Sequence, residues 1–227
     1  IAIVYNLEGV EDLSLSPETL AGIFAGTITK WDDKAIVADN PDASLPSANI
    51  TPVHRSDESG TSENFTAYLE AVAADVWTHG PVGTWPTEAG GEGGKGTSGL
   101  VQIVTEAPNT IGYADASQAA GLSQANIGVG DEFVAPSAEA AAKIFEVSPR
   151  VEEDSDVNMA FDLDHKTEEA GVYPIVLTSY LLACQSYSDQ ATADNVKGYI
   201  SYILSDEGQQ TGSSEAGSAP LSDAIWS

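Results

Sequence analysis

The 227 residues carry 8 Lys+Arg against 35 Asp+Glu, a formal charge of −27, on a chain long enough for one large domain or two small ones. Eight scattered cations exclude nucleic acid and a polybasic membrane-surface site as partners, while 42% hydrophobic residues argue against disorder. No apolar run approaches the ~20 residues of a membrane span; the longest, 175–184, is interrupted by Thr178, Ser179 and Tyr180.

The chain opens IAIVYNLEGV, with no Met, no charged n-region and no cleavage site, so it is expected to start inside a longer precursor or after processing. Residues 1–5 read as a buried strand. Ser16-Pro17-Glu18 then announces a helix: Ser caps free N–H groups, Pro suits the first turn, and Glu favours the positive end. Leu20, Ile23 and Phe24 follow at helical spacing, and Gly26 stops the helix. Trp31 packs, a short helix covers 33–38, and Asn40-Pro41 turns the chain.

A short strand is expected over 49–54, a polar loop over 56–61 and a helix over 62–76, whose apolar face is Phe65, Tyr68, Leu69, Val72 and Val76. Residues 81–99 read as a glycine-rich loop. Helix resumes over 97–105, followed by a strand over 110–113 and a helix from Pro136 through Phe145. Residues 150–165 are acidic and irregular. The apolar run predicts a strand over 173–184, with Cys184 as a buried, inert thiol. This lone cysteine excludes an internal disulfide and a thiolate-rich zinc site. A helix over 192–204 follows, then a Ser/Gly-rich tail from Gly208. Strands alternating with helices predict an α/β fold without internal repeats, with a boundary before Tyr173.

The segment most informative about chemistry is HRSDESGTSENF, residues 54–65. A strand ends at Arg55, a Ser/Gly/Thr loop follows, and a helix begins. Unpaired N–H groups at a helix start, together with the helix dipole, form an anion site. Gly60 lets backbone come close to a ligand, and Ser59 and Thr61 add hydroxyl donors. Arg55 supplies a planar fork for a tetrahedral oxyanion, and Asp57 is placed to hold that fork. The competing reading is an ordinary capped helix with a surface Arg–Asp pair. Only two arginines occur, Arg55 and Arg150, and one of them stands beside this donor-rich turn.

The string HRSDESGTSENFTAYL, with LSPETLAGIFAGTITKWDD upstream and GGKGTSG, NTIGYAD, YPIVLTSYLLACQ, SDEGQQ and SAPLSD downstream, resembles the phosphate-binding proteins of high-affinity phosphate ABC transporters. The resemblance runs over nearly the whole chain. It implies a two-lobed periplasmic-binding-protein-like α/β fold that closes on one inorganic phosphate. It implies phosphate contacts from Arg55, Ser59, Gly60 and Thr61, with Asp57 pairing Arg55. It further implies a monomer with no cofactor and no catalysis, delivering phosphate to the transporter's permease subunits. Its location would be extracytoplasmic, periplasmic or lipid-anchored at the cell surface. The family carries a strand–helix stretch before the strand matched by residues 1–5, and that stretch supplies the other half of the site. The expectation is therefore one complete lobe over 1–172, with 1–7 as a crossover strand, and part of the other lobe over 173–227.

Other signals are weaker. Gly91 to Gly96 satisfies G-x-G-x-x-G, but Trp85-Pro86-Thr87-Glu88 ahead of it is no strand, as a dinucleotide site needs. Lys95 is followed by Gly96 rather than Ser or Thr, so a P-loop fails. The stretch reads either as a loop near the cleft or as a plain surface loop. Asp154-x-Asp156-x-Asn158 starts like a calcium loop, yet Met159 holds the Gly position and His165 the bidentate Glu position, leaving a solvated acidic loop. A phosphoester hydrolase built on Ser59, His54 and Asp57 is the enzyme alternative, although a triad normally draws its members from distant segments. Sulfate or another tetrahedral oxyanion is the alternative ligand. His79 and His165 have no partner pattern and read as surface residues.

Overall fold

The computed structural model describes residues 1–151, 158–222 and 225. The acidic calcium-loop motif lies largely outside them. Strand β1 (Ala2–Asn6) is apolar at every position to Tyr5 and is buried on both faces. Ile3 and Tyr5 point into one hydrophobic cluster and Ala2 and Val4 into another, the period-two alternation of a strand covered on both sides. After β2 (Ser14–Leu15) comes α1 (Pro17–Phe24), with Pro in its first turn and Glu18 at its positive end. Helix α2 (Lys34–Asp39) is capped by the Asp33 carboxylate. Then follow β3 (Thr51–Arg55), α3 (Gly60–Ala73), β4 (Glu92–Gly94), α4 (Gly96–Glu106) and β5 (Thr110–Ala114).

These strands make a five-stranded sheet with β6 (Ser123–Gln124), in the order β4-β3-β5-β1-β6. Strand β3 runs parallel to β4 and β5, whereas β1 runs antiparallel to β5 and β6. One face is covered by α1 and α3 through Leu20, Phe24, Phe65 and Leu69. The other is covered by α4 through Leu100 and Val104. The result is an α/β/α sandwich with both faces of the sheet dry. At Gly94 an added Cβ would lie 2.5 Å from Leu100 N, so only glycine lets α4 turn back this tightly onto the sheet.

The chain then crosses to a second, three-stranded sheet of β2, β7 (Asn126–Val129) and β8 (Glu132–Val134). The short helices α5 (Ala138–Ala142) and α6 (Ile144–Val147) follow where one helix was expected, and α7 (Gln190–Ile203) packs on α8 (Asp206–Ala216).

Several expectations are corrected. The stretch 81–99 contains β4, because its glycines let that strand lie between β3 and α4. The Ser/Gly-rich tail forms α8, started by the Ser205 cap and stopped by Gly217 at φ 65°. The predicted strand over 173–184 does not form. Its first part goes into the core instead: Tyr173 N donates to Ala140 O, Tyr173 Oη donates to Ile1 O, and Pro174 has no N–H to give a ladder. Ile175 and Val176 are buried there, while Leu182 is 96% exposed. Cys184 is likewise exposed, because among the described residues the apolar run has no neighbouring strand to bury it. The two histidines are packed rather than free on the surface. His79 meets Trp77 edge-on, and His165 Nδ1 bonds Pro174 O at 2.8 Å with its ring edge-on to Tyr68.

Candidate functional site

Parallel strands β3 and β4 deliver their C-terminal ends to one edge of the sandwich, where α3 and α4 begin. Arg55 is the last residue of β3. Its Nε donates to Asp57 Oδ1 at 2.9 Å and its Nη2 to Asp57 Oδ2 at 2.7 Å, a two-point grip. The Arg55 side chain is 13% exposed and that of Asp57 37%. Asp57 Oδ1 also accepts from Gly96 N at 2.9 Å, tying the start of α4 to the pair. The Arg55 hydrogen bond, reinforced by that N–H, holds the Asp57 carboxyl well below the usual carboxylate range. The same bond raises the Arg55 guanidinium above its ordinary value.

Asp57 uses only the Nε–Nη2 edge. The second Nη2 hydrogen and Nη1 remain, and Nη1 reaches Thr97 Oγ1 at 3.4 Å. Four residues on in the chain from Arg55 is the start of α3. Ser59 is its N-cap: its Oγ accepts from Thr61 N at 3.1 Å and Ser62 N at 3.4 Å. The Ser59 hydroxyl hydrogen is left to donate. The N–H of Gly60 has no hydrogen-bond partner among the described residues. Ser59 and Thr61 are buried and Gly60 is exposed. An added Cβ at Gly60 would meet only Leu177 Cδ1, at 3.8 Å, so the open approach to this turn is from outside. Below it, Tyr113 Oη accepts from Arg55 N at 3.2 Å and pairs with Ser62 Oγ at 2.6 Å. Burial pushes the Tyr113 phenol up, so this support stays neutral.

All five residues singled out in the sequence, Arg55, Asp57, Ser59, Gly60 and Thr61, therefore meet at one corner. Sequence reading missed Thr97, Asp115 and Tyr113, which arrive from α4 and β5; GGKGTSG and NTIGYAD were the only signals of them. The G-x-G-x-x-G stretch is the β4–α4 junction, with Lys95 exposed beside Gly96. The hydrolase trio is not assembled. His54 stacks on Trp85 with centroids 5.1 Å apart and bonds Arg55 O, Ser59 caps α3, and Asp57 is gripped by Arg55. A groove of about 390 Å³ lies on the outer side of α3, against Glu63, Asn64, Phe161 and Tyr180, and none of the five residues lines it. Arg150 is elsewhere, donating to Asn158 O. No described helix is long and apolar enough to cross a membrane.

A sandwich whose parallel strands end at two helix N-termini, with one antiparallel strand in the sheet, defines an α/β binding-protein fold. The chain belongs to the PBP superfamily: the family model described as the PBP superfamily domain matches residues 1–207. The chain is 34% identical over 231 residues to phosphate-binding protein PstS 3 of Mycobacterium tuberculosis, covering 100% of this chain and 62% of that protein. It is 35% identical over 199 residues to phosphate-binding protein PstS of Xylella fastidiosa, covering 83% and 52%. Among solved structures, a high-affinity periplasmic phosphate-binding protein bound with phosphate superposes with a TM-score of 0.68 at 22% identity, over 99% of this chain and 66% of that one. A phosphate-binding protein from Stenotrophomonas maltophilia gives 0.64 at 20%, over 99% and 65%. The chain thus spans about 62% of the length of the first curated relatives it matches, which fits one complete lobe and part of another.

Proposed function

We propose that this chain forms one jaw, and part of the second, of a protein that binds inorganic phosphate. The observation that carries the reading is the half-used guanidinium. Asp57 occupies one edge of Arg55 and leaves the second Nη2 hydrogen and Nη1 for a ligand, while the start of α3, linked to Arg55 through the Tyr113 hydroxyl, offers the Ser59 hydroxyl and a Gly60 N–H without a partner among the described residues. Arg55, Ser59, Gly60 and Thr61 would be the phosphate ligands and Asp57 the support. Charge-assisted and backbone donors at a helix start suit an oxyanion. Residues 1–172 would make the complete lobe and 173–227 would belong to the other. Release to the permease of an ABC importer, on the extracytoplasmic side, is part of the same reading, and relatives named phosphate-binding proteins support it. The protein would act as a monomer that breaks no bond and uses no cofactor.

The test is a titration with phosphate and with sulfate, followed by amide and guanidinium NMR so that weak binding is also read. Phosphate should shift the Gly60 and Thr61 amides and the Arg55 side chain. A chain that ignores phosphate to high millimolar concentration, or that binds sulfate in its place, would overturn the assignment. Turnover of a chromogenic phosphoester would favour the hydrolase instead.

A further inference from the structure

We propose that Thr97, oriented by Asp115, is a positioning residue for the Arg55 guanidinium; the proposal deepens the phosphate-binding reading and rests on it. Thr97 lies in the first turn of α4 and Asp115 just after β5, 42 and 60 residues from Arg55 in the chain. A hydroxyl has one hydrogen. The Thr97 hydrogen goes to Asp115 Oδ2 at 3.2 Å, which leaves its lone pairs for Arg55 Nη1 at 3.4 Å. Asp115 is available for this. It stands at the cap position of the short turn at Ala116–Gln118, but its side chain makes no capping bond there. The Thr97 hydroxyl is not drawn into capping α4 either, since the cap position is Lys95 and makes no side-chain bond.

The geometry gives this contact its purpose. Asp57 holds Arg55 along the single line from Nε to Nη2, and a plane held along one line can still pivot about it. Nη1 is the guanidinium nitrogen off that line. A contact there fixes the tilt of the plane, and with it the direction of the N–H groups left for ligand. At 3.4 Å the contact is long for an N–H donor, so its effect is on orientation more than on strength. Gly96 N on Asp57 anchors the same turn of α4. The fork is then set between two carboxylates, Asp57 directly and Asp115 through a hydroxyl.

Thr97→Val keeps the shape of the side chain and removes the hydroxyl. It should weaken phosphate binding about threefold to tenfold, the loss of one modest hydrogen bond. Thr97→Ser should restore binding to within about twofold. In an Arg55→Lys background, where no fork remains to be tilted, Thr97→Val should add no further loss. A Thr97→Val chain that binds like the parent, or that loses as much in the Arg55→Lys background, overturns the proposal. The same variant is also read without phosphate, by hydrogen exchange at Arg55 Nε–H. Faster exchange supports the positioning role and unchanged exchange overturns it. Absence of phosphate binding by the unsubstituted chain would sink the phosphate reading, while the exchange measurement would still decide whether Thr97 holds Arg55.

Discussion

Removing the Arg55 guanidinium tests the central claim most directly, and the structure supplies the size of the effect. Two groups are left free by Asp57, the second hydrogen of Nη2 and the Nη1 amine. A charge-assisted hydrogen bond is worth roughly 1.5–3 kcal/mol, and 1.4 kcal/mol is tenfold in affinity, so loss of even one should cost about tenfold. Two would carry the loss past about a hundredfold. Arg55→Ala also strips Asp57 of its partner, leaving its carboxylate on the Gly96 N–H and beside the proposed anion site. That repulsion should be partly recovered in the double variant Arg55→Ala/Asp57→Asn. Arg55→Lys keeps the charge but not the fork, and should rescue only in part. Calorimetry, or NMR titration where binding is weak, measures all four proteins. An Arg55→Ala chain with parental affinity would refute the assignment. A double variant weaker than Arg55→Ala would refute the electrostatic half of the reasoning.

Three further outcomes follow from the same structure. Gly60→Ala should leave thermal stability unchanged or slightly higher, since the added Cβ meets only Leu177 and Ala suits a helix; phosphate affinity should still fall severalfold, and equal affinity would remove Gly60 from the site. Burial lowers the His165 pKa, so the folded chain resists the proton that the unfolded chain accepts below about pH 6.5; the His165 contribution should be absent well above that value and destabilise as pH drops through it, and His165→Gln should remove that component of the denaturation profile. Raising salt from about 0.1 M to 1 M shortens the screening length from ~10 Å to ~3 Å, so a chain of charge −27 should melt higher in salt; a melting temperature independent of salt would show that the surface repulsion is already balanced.

Sequence reading reached the layers of the fold wherever a local signal existed. Strand β1, helices α1 and α3 and strands β3 and β5 announced themselves through apolar period or a Pro in the first turn; the Ser16 side chain, expected to cap α1, makes no capping bond and pairs with Thr19 Oγ1 instead. Arg55 and Asp57 were legible because both lie within one turn. The elements that escaped depend on distant partners. Glu92–Gly94 has little intrinsic preference for strand, and it forms one because β3 offers an open edge and Gly94 lets α4 close over it. Thr97 and Asp115 look like ordinary residues of a helix start and a turn until the sheet brings them to Arg55. The error over 173–184 came from the opposite cause. Its apolar pattern was real, but a strand needs a neighbour, and among the described residues none lies beside it.

That segment and the helices after it give the last prediction. Helix α7 presents Tyr199, Tyr202 and, at its end, Leu204, which are 64%, 47% and 37% exposed. No residue of α7 or α8 is buried; the two helices pack on each other and contribute nothing to either hydrophobic cluster. A 14-residue helix is marginal in water without tertiary packing. Helix α3 has the same length, but Phe65, Tyr68 and Leu69 are fully buried under the sheet. Protection against amide exchange follows such differences, from near zero at unpacked helices to the global stability in the core. Exchange in α7 and α8 should therefore be faster than in α3 by a factor on the order of a hundred or more. The division should fall after Val176, since Tyr173, Ile175 and Val176 share the core of β1 and α3; the Tyr173 N–H, bonded to Ala140 O, should be slow and the amides from Leu181 onward fast. Mass-spectrometric exchange on peptides covering 60–73, 172–176 and 190–203 separates these cases. Slow exchange throughout 190–203 would mean that the apolar face of α7 is covered in solution. Repeating the measurement over a range of protein concentrations would then show whether a second copy covers it.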